Sequence, residues 1–370
     1  MKTQLFSISL VSFSIISLIL LVSFLTDKSF YNSSFESSDF VLLGQKNSST
    51  QNLNLFKKEK TANGYKLTYG WEDNESDTHH ITFSISDQQL SDAEGEFGYF
   101  PDELREYVEE SLEKMRNEMI SHLEKFISQK VLKSKYSRYI SMDDVSPKDF
   151  KLKISAPPSL SKEAKAEFDR IMDELTREQN VYFKKIEKEQ QKRRKAFLKK
   201  RGFRFIGDKI GVNYSLCVRN NRARVKQVVE AMRKMNKKLS LHQFLALMLA
   251  FIQEIRYGLP PIRENNKVIL EFWVPPKVLI HNFGDCDSKG VTFASMWTNF
   301  KRYPILLIKV PKHLFVGLAI PSIGGEGFTI NRLRYTLCEV TGPEKIPPGL
   351  ITQYSQFYLE GRQFMYELIR

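Results

Sequence analysis

Residues 241–255 place Leu241, Phe244, Leu245, Leu247, Met248, Leu249, Phe251, Ile252 and Ile255 around every side of a helix. A helix that is apolar all round has no face to offer water, so it must lie at the centre of a folded body. Both ends are punctuated: Ser240 with Gln243 three residues later forms a capping box, and Gly258, Pro260 and Pro261 stop the helix. A helix at about residues 222–236 leads into it. Strand-like runs follow at 268–274, 305–310, 314–320 and 335–341, with one further helix between the first two. Helices followed by a run of strands predict an α+β domain, expected to occupy residues 203–370.

The helix between those runs opens on Gly284, Asp285, Cys286, Asp287, Ser288 and Lys289, and continues through Val291, Phe293, Ala294, Met296 and Trp297. A packed helix with a polar start predicts that Cys286 sits where a loop turns into the core. Main-chain N–H groups at a helix start favour negative charge, lower a thiol pKa and offer donors to an oxyanion. Asp285 suits the N-cap position. Its charge opposes a thiolate, so a histidine is needed to supply the compensating positive charge. By composition alone a cysteine is more often a buried structural thiol; the polar neighbours of Cys286 are what favour a nucleophile.

His313 opens one strand-like run and Glu339 lies in another. Strand alternation puts Leu314, Val316, Leu318 and Ile320 on one face, and His313, Phe315, Gly317 and Ala319 on the other. Tyr335, Leu337 and Glu339 likewise share a face, with Cys338 opposite. A carboxylate among apolar strand residues is costly unless it is paired, and an imidazolium offsets that cost. Cysteine, histidine and carboxylate, each at the edge of a core segment, predict a thiol acyl-transfer site in which Glu339 orients His313.

The rest of the 370-residue chain is arranged around this domain. Residues 5–25 are uncharged and mostly Leu, Ile, Val, Phe and Ser, a length that spans a bilayer, and no small-residue cleavage site follows. An uncleaved N-terminal transmembrane helix in residues 1–28 is therefore expected, holding a single-pass protein at the plasma membrane with its catalytic domain extracytoplasmic. Residues 29–62, rich in Ser, Asn and Lys, read as a stalk. In region 63–202, Tyr65, Leu67, Tyr69 and Trp71, then Ile81, Phe83 and Ile85, alternate as a β-hairpin. Two long amphipathic helices follow, one from about Pro101 and one after Pro157 and Pro158, able to pair antiparallel or to extend as a spacer.

Hydrophobic content of 42% excludes a disordered chain, and three cysteines are too few for a disulfide framework. The net charge of +13 is concentrated in residues 184–204. That tract reads as a solvated basic helix, with an anionic surface as a possible partner; no motif for specific nucleic acid accompanies it.

The ordered set resembles the transglutaminase-like superfamily, and within it the bacterial transglutaminase-like cysteine proteinases. The residues that carry the resemblance are Phe251 to Tyr257, Gly284 to Lys289, His313 to Gly317, and Glu339 to Pro343. It implies a papain-like core over about residues 203–349 and a Cys286–His313–Glu339 triad acting on a peptide or protein substrate through a thioester. Gln253 is a candidate oxyanion donor beside the Cys286 N–H. Trp273, Gly284 and Asp285 are candidates for lining the substrate cleft, although Trp273 and Trp297 also suit an aromatic core. Neither a metal nor a cofactor is expected. The rival reading is a non-catalytic peptide- or cell-wall-binding module on the same fold.

Overall fold

The computed structural model describes residues 55–131, 140–142, 152–154, 161–207, 209–235, 238–301, 303–321, 325 and 327–369. The N-terminal region holds strands β1 (Phe56–Thr61), β2 (Gly64–Glu72) and β3 (Thr78–Ser86), and helices α1 (Asp87–Glu96), α2 (Pro101–Phe126) and α3 (Lys162–Lys200). Strands β4 (Phe203–Ile206) and β5 (Lys209–Val212) lead to helices α4 (Tyr214–Asn221), α5 (Lys226–Met235), α6 (Leu241–Glu254), α7 (Pro275–His281) and α8 (Cys286–Phe300). Strands β6 (Ile305–Val310), β7 (His313–Leu318), β8 (Gly327–Ile330) and β9 (Leu333–Cys338), helix α9 (Gln353–Glu360) and strand β10 (Met365–Ile369) complete the chain.

The described residues divide into two compact units, 102–197 and 55–101 with 198–369. In the first, α2 buries Leu104, Val108, Leu112, Met119 and Leu123, and α3 buries Phe168, Leu175, Ile186 and Phe197. Their pairing is antiparallel. Tyr107 meets Phe197 at 5.3 Å and lies under the Arg193 guanidinium, His122 contacts Glu178 at 2.8 Å, and Lys130 reaches Glu174. The basic tract forms the C-terminal part of α3, with Lys184, Lys188, Lys199 and Lys200 exposed.

In the second unit, α6 is buried from Phe244 to Gln253 apart from Ala246, and its capping box is formed: Ser240 Oγ accepts from the Gln243 N–H at 3.3 Å, and Gln243 Oε1 from the Ser240 N–H at 3.0 Å. The β1–β2–β3 sheet lays Leu67, Tyr69, Trp71, Ile81, Phe83 and Ile85 against this body. Tyr69 and Trp71 meet Phe251 of α6 edge-on at 5.0 and 5.2 Å, and the Tyr69 hydroxyl donates to the Leu279 carbonyl in α7. Full burial of such side chains contributes about 1.5–3 kcal/mol each, which makes this sheet integral to the unit. The boundary expected at residue 202 therefore does not separate the hairpin from the later residues.

The five-stranded sheet has the order β8–β9–β7–β6–β10, with every neighbour antiparallel. One face carries Leu306, Ile308, Val310, Phe315, Tyr335 and Leu337, with Ile351 packed against them from the segment before α9. Against the other lies α8, so close at Gly290 that a Cβ there would overlap the Leu314 side chain. The β6–β7 turn places His313 opposite Val310 at the start of its strand.

Three expectations are corrected. Among the described residues no helix is long and apolar enough to cross a membrane, so the N-terminal transmembrane helix drops out of the fold class, which is mixed α and β. Residues 5–25, on which it was placed, lie outside the described residues, as does most of the expected stalk; the described end of that stalk is strand β1. The apolar run 268–274 is not a strand. Only Lys267–Val268 is extended and paired, and Leu270 and Glu271 turn into left-handed conformations with φ of 50° and 58°.

Candidate functional site

Asp285 is the N-cap of α8, its Oδ1 accepting from the Ser288 N–H at 2.9 Å, as its position predicts. Ser288 in turn accepts from the Trp273 main-chain N–H at 2.9 Å, which fastens the incoming chain to the first turn of the helix. Cys286 follows the cap, with 7% of its surface exposed.

The surroundings of the sulfur differ from the expected thiolate. Cys286 Sγ donates to Asp287 Oδ1 at 3.5 Å, and the main-chain N–H of Leu314 faces the sulfur from β7. Asp287 is itself held. Its Oδ2 accepts from Lys309 Nζ at 3.0 Å and from the Tyr214 hydroxyl, and Lys309 also reaches that hydroxyl at 3.3 Å. Burial, then Asp287 and Asp285, push the thiol well above its ordinary pKa, against the opposing influence of Lys309 and the Leu314 amide. Although burial works against its ionisation, Lys309 and the Tyr214 hydroxyl hold the Asp287 carboxyl below the usual carboxylate range. Asp285 moves the other way, raised by burial and by its neighbour Asp287. The helix start alone does not ionise the sulfur; burial first, and then the two adjacent carboxylates, outweigh it.

His313 and Glu339 are brought together. The imidazole Nε2 lies 3.0 and 2.9 Å from the two Glu339 carboxylate oxygens, and Glu339 is fully buried while the His313 side chain is 15% exposed. One of those oxygens also accepts from the Thr341 N–H at 3.1 Å, which fixes the carboxylate plane. With Nε2 on Glu339, Nδ1 is the nitrogen left for proton transfer. The thiol lies against the main-chain amide of Leu314, the residue that follows His313. Among the described residues, however, the hydrogen bonds of the sulfur run to Asp287 and Leu314, and none joins it to the imidazole.

Gln253 is not placed as an oxyanion donor. Its Nε2 donates to the Glu339 carbonyl at 2.7 Å and to the Ile346 carbonyl at 2.8 Å, so both amide hydrogens are consumed in tying α6 to the chain around Glu339. Trp273 is half-buried with its ring against His281 and Phe283, and its indole N–H is buried without a partner among the described residues. Trp297 is fully buried in the aromatic core with Phe293 and Phe300. Gly284 is buried, and residues Phe283–Gly284 pair in parallel with Arg256–Tyr257.

Tyr214, Lys309 and Tyr257 near the thiol lie outside the residues the sequence marks, and Lys289 is placed differently from its expected role. Tyr214 and Lys309 hold Asp287. Tyr257, 42% exposed, feels the charges of Cys286, Asp285 and Asp287, with burial the larger cause raising its pKa. Lys289, which marks a polar helix start in the sequence, is fully buried instead: its Nζ donates to the Ile255 carbonyl at 2.7 Å and points at that of Gln253, capping the C-terminus of α6 from the interior. Burial first, and then Lys345, push its pKa down to about 7.

Asp285, Cys286 and Asp287 offer ligand atoms within 4.8 Å of one another. Lys309 already supplies a cation to Asp287, and the Asp285 carboxylate caps α8, so these groups have partners within the fold. Cys217 and Cys338 are free and buried, and burial pushes both thiols up, as befits core residues. No protein-family profile, curated protein or solved structure matches this chain.

Proposed function

We propose that this chain is a thiol-dependent acyl-transfer enzyme that attacks an amide of a peptide or protein, with Cys286 as nucleophile, His313 as general base and Glu339 as the group that orients the imidazole. The observation that carries this reading is the His313–Glu339 pair, a fully buried carboxylate spanning the imidazole Nε2 with both oxygens, one residue along β7 from the amide that faces the thiol. An imidazole fixed in this way presents one defined nitrogen and is stabilised when it takes up a proton. A helix start leaves main-chain N–H groups without intrahelical partners, and α8 starts at Cys286, which supports a place for developing negative charge beside the sulfur; the Ser288 N–H is already taken by Asp285. The resemblance of the Gly284–Lys289, His313–Gly317 and Glu339–Pro343 segments to transglutaminase-like proteinases supports the same assignment.

Because the thiol is stored neutral, the proton leaves as the carbonyl carbon arrives. The Sγ–C bond forms while the S–H proton passes to His313 Nδ1, which then delivers it to the leaving nitrogen as the C–N bond breaks. Water or a second amine resolves the thioester, which decides between hydrolysis and transamidation. A second reading, a peptide-binding module that has kept the cleft without the chemistry, is favoured by the hydrogen bond of Cys286 to Asp287 in place of His313.

The two are separated by incubating the full chain with a mixed peptide library, with and without an added fluorescent primary amine, and reading new amino termini and incorporated amine by mass spectrometry. Either product, lost in Cys286→Ala, supports the enzyme. Identical peptide populations with the wild type and Cys286→Ala leave only the binding module.

A further inference from the structure

We propose that Asp287 is a positioning residue for the nucleophile: it receives the hydrogen bond of the resting thiol and holds the sulfur as a neutral group, while Lys309 and Tyr214 keep the Asp287 carboxylate in place to do so. The inference rests on Cys286 being the nucleophile of the proposed acyl transfer. It adds a resting state to that site and assigns roles to three side chains that the triad does not use.

The geometry is specific. The carboxylate divides its work, with Oδ1 facing the sulfur at 3.5 Å and Oδ2 facing Lys309 at 3.0 Å and the Tyr214 hydroxyl. Those three partners come from three separate elements, α8, β6 and α4. Tyr214 is buried at 5% exposure, and burial followed by the charge of Asp287 keeps its hydroxyl protonated and donating. Lys309 is charged, drawn up chiefly by Asp287. A single charged neighbour beside a thiol is a common accident of a helix start. A carboxylate braced by a cation and a buried phenol from two other elements, with its remaining oxygen on the thiol, is an arrangement with a fixed direction.

The charged and titratable groups whose charges bear on the sulfur are Asp285 and Asp287 at the start of α8, Lys289 one turn on, Lys309 from β6, Tyr214 from α4 and Tyr257 from the strand paired with Gly284, while His313 precedes the Leu314 amide that faces the sulfur. Of these only Asp287 accepts from the sulfur. Removing its charge must therefore ease ionisation of the thiol, and removing Lys309 must make it harder. The brace thus sets the pH above which Cys286 reacts unaided and leaves proton removal at neutral pH to His313, which keeps the sulfur unreactive toward small electrophiles until a substrate is seated.

The test is the pH dependence of Cys286 alkylation by iodoacetamide in the full chain, read by peptide mapping, for the wild type, Asp287→Asn, Lys309→Met and Tyr214→Phe. The wild-type inflection is expected above that of an ordinary thiol. Asp287→Asn should move it down by at least one pH unit, raising the rate at pH 7 by about tenfold or more, since each unit is a tenfold change in thiolate. Lys309→Met should move it up. Lys309 is 44% exposed in its side chain, so this variant tests the brace even where Asp287→Asn fails to fold. A purely structural role for Asp287 changes melting without moving the inflection, and superimposable profiles or a shift of the opposite sign overturn the proposal. The outcome is independent of turnover: if Asp287→Asn shifts the profile while no acyl transfer depends on Cys286, the catalytic reading fails and the brace stands.

Discussion

The side-chain amide of Gln253 donates across 2.7 Å to the main-chain carbonyl of Glu339, and so fastens the end of the central helix α6 to the residue that orients His313. A second hydrogen bond from the same nitrogen goes to Ile346. Gln253→Leu leaves the buried Glu339 carbonyl and the half-buried Ile346 carbonyl without this donor, at a cost of about 1–3 kcal/mol for the buried one. Urea unfolding should show that loss. An oxyanion donor would behave differently, losing turnover with stability kept.

Glu339→Gln replaces the acceptor of His313 with an amide while keeping its shape. Turnover by the proposed reaction should fall by about 10²–10⁴, because the imidazole loses both its fixed orientation and the charge that stabilises its protonated form. Circular dichroism should show the fold retained. Unchanged turnover in the folded variant removes Glu339 from the reaction.

Lys289 gives the fold a pH signature. Its pKa in the folded chain, about 7, lies below the ordinary 10.5. Between those values the unfolded chain binds a proton that the folded chain has released, so stability rises with pH across that window, and the penalty is fully present below it. Each unit of the difference corresponds to about 1.4 kcal/mol. Urea unfolding of the wild type at pH 7, 8 and 9 should therefore climb more steeply than that of Lys289→Met, in which the cost of uncapping α6 does not depend on pH. Parallel slopes contradict this.

Gly342 and Gly290 are tight for different reasons. A Cβ at Gly342 would overlap the main-chain carbonyl of Gln253, whereas at Gly290 it would meet only the far end of the Leu314 side chain. Overpacking typically costs about 1–3 kcal/mol, and the backbone clash has less room to relax. Gly342→Ala should therefore lower the urea midpoint by more than Gly290→Ala, and Gly342→Ala alone should also disturb the Gln253–Glu339 tie.

What was legible in the chain is what local chemistry determines. The burial of α6 follows from apolar residues on all its sides, its start from Ser240 and Gln243, and the capping role of Asp285 from its place before a packed helix. Strand alternation groups Phe315 with His313, and their rings lie 6.4 Å apart; Glu339 falls just past the end of β9 at Cys338. Helix α1 is not among the expected elements, although the capping box of Ser86 and Gln89 that starts it has the same pattern as that of α6. Other features depend on distant partners. Tyr214 and Lys309 lie 73 and 22 residues from Asp287, in segments with nothing local to mark them. Gln253 has an amide whose use is decided 86 and 93 residues away. Lys289 reads as a surface residue because lysine normally seeks water, and only the unpaired carbonyls at the end of α6 explain its burial. Strand β1 carries Lys57, Lys58, Glu59 and Lys60 and has no apolar alternation, since it is an edge strand with one partner. At 268–274 the composition suits a strand, yet Leu270 and Glu271 turn the chain back toward Pro261 and Ile262.

The role of His313 in activating Cys286 is tested by the rate at which a peptidyl vinyl sulfone forms a covalent adduct, followed by intact mass and peptide mapping in the wild type and in His313→Ala at pH 7. A single adduct is expected on Cys286, with Cys217 and Cys338 unmodified, forming at least about 10²-fold more slowly in His313→Ala. Equal rates in the two proteins, or labelling spread over the three cysteines, would contradict it.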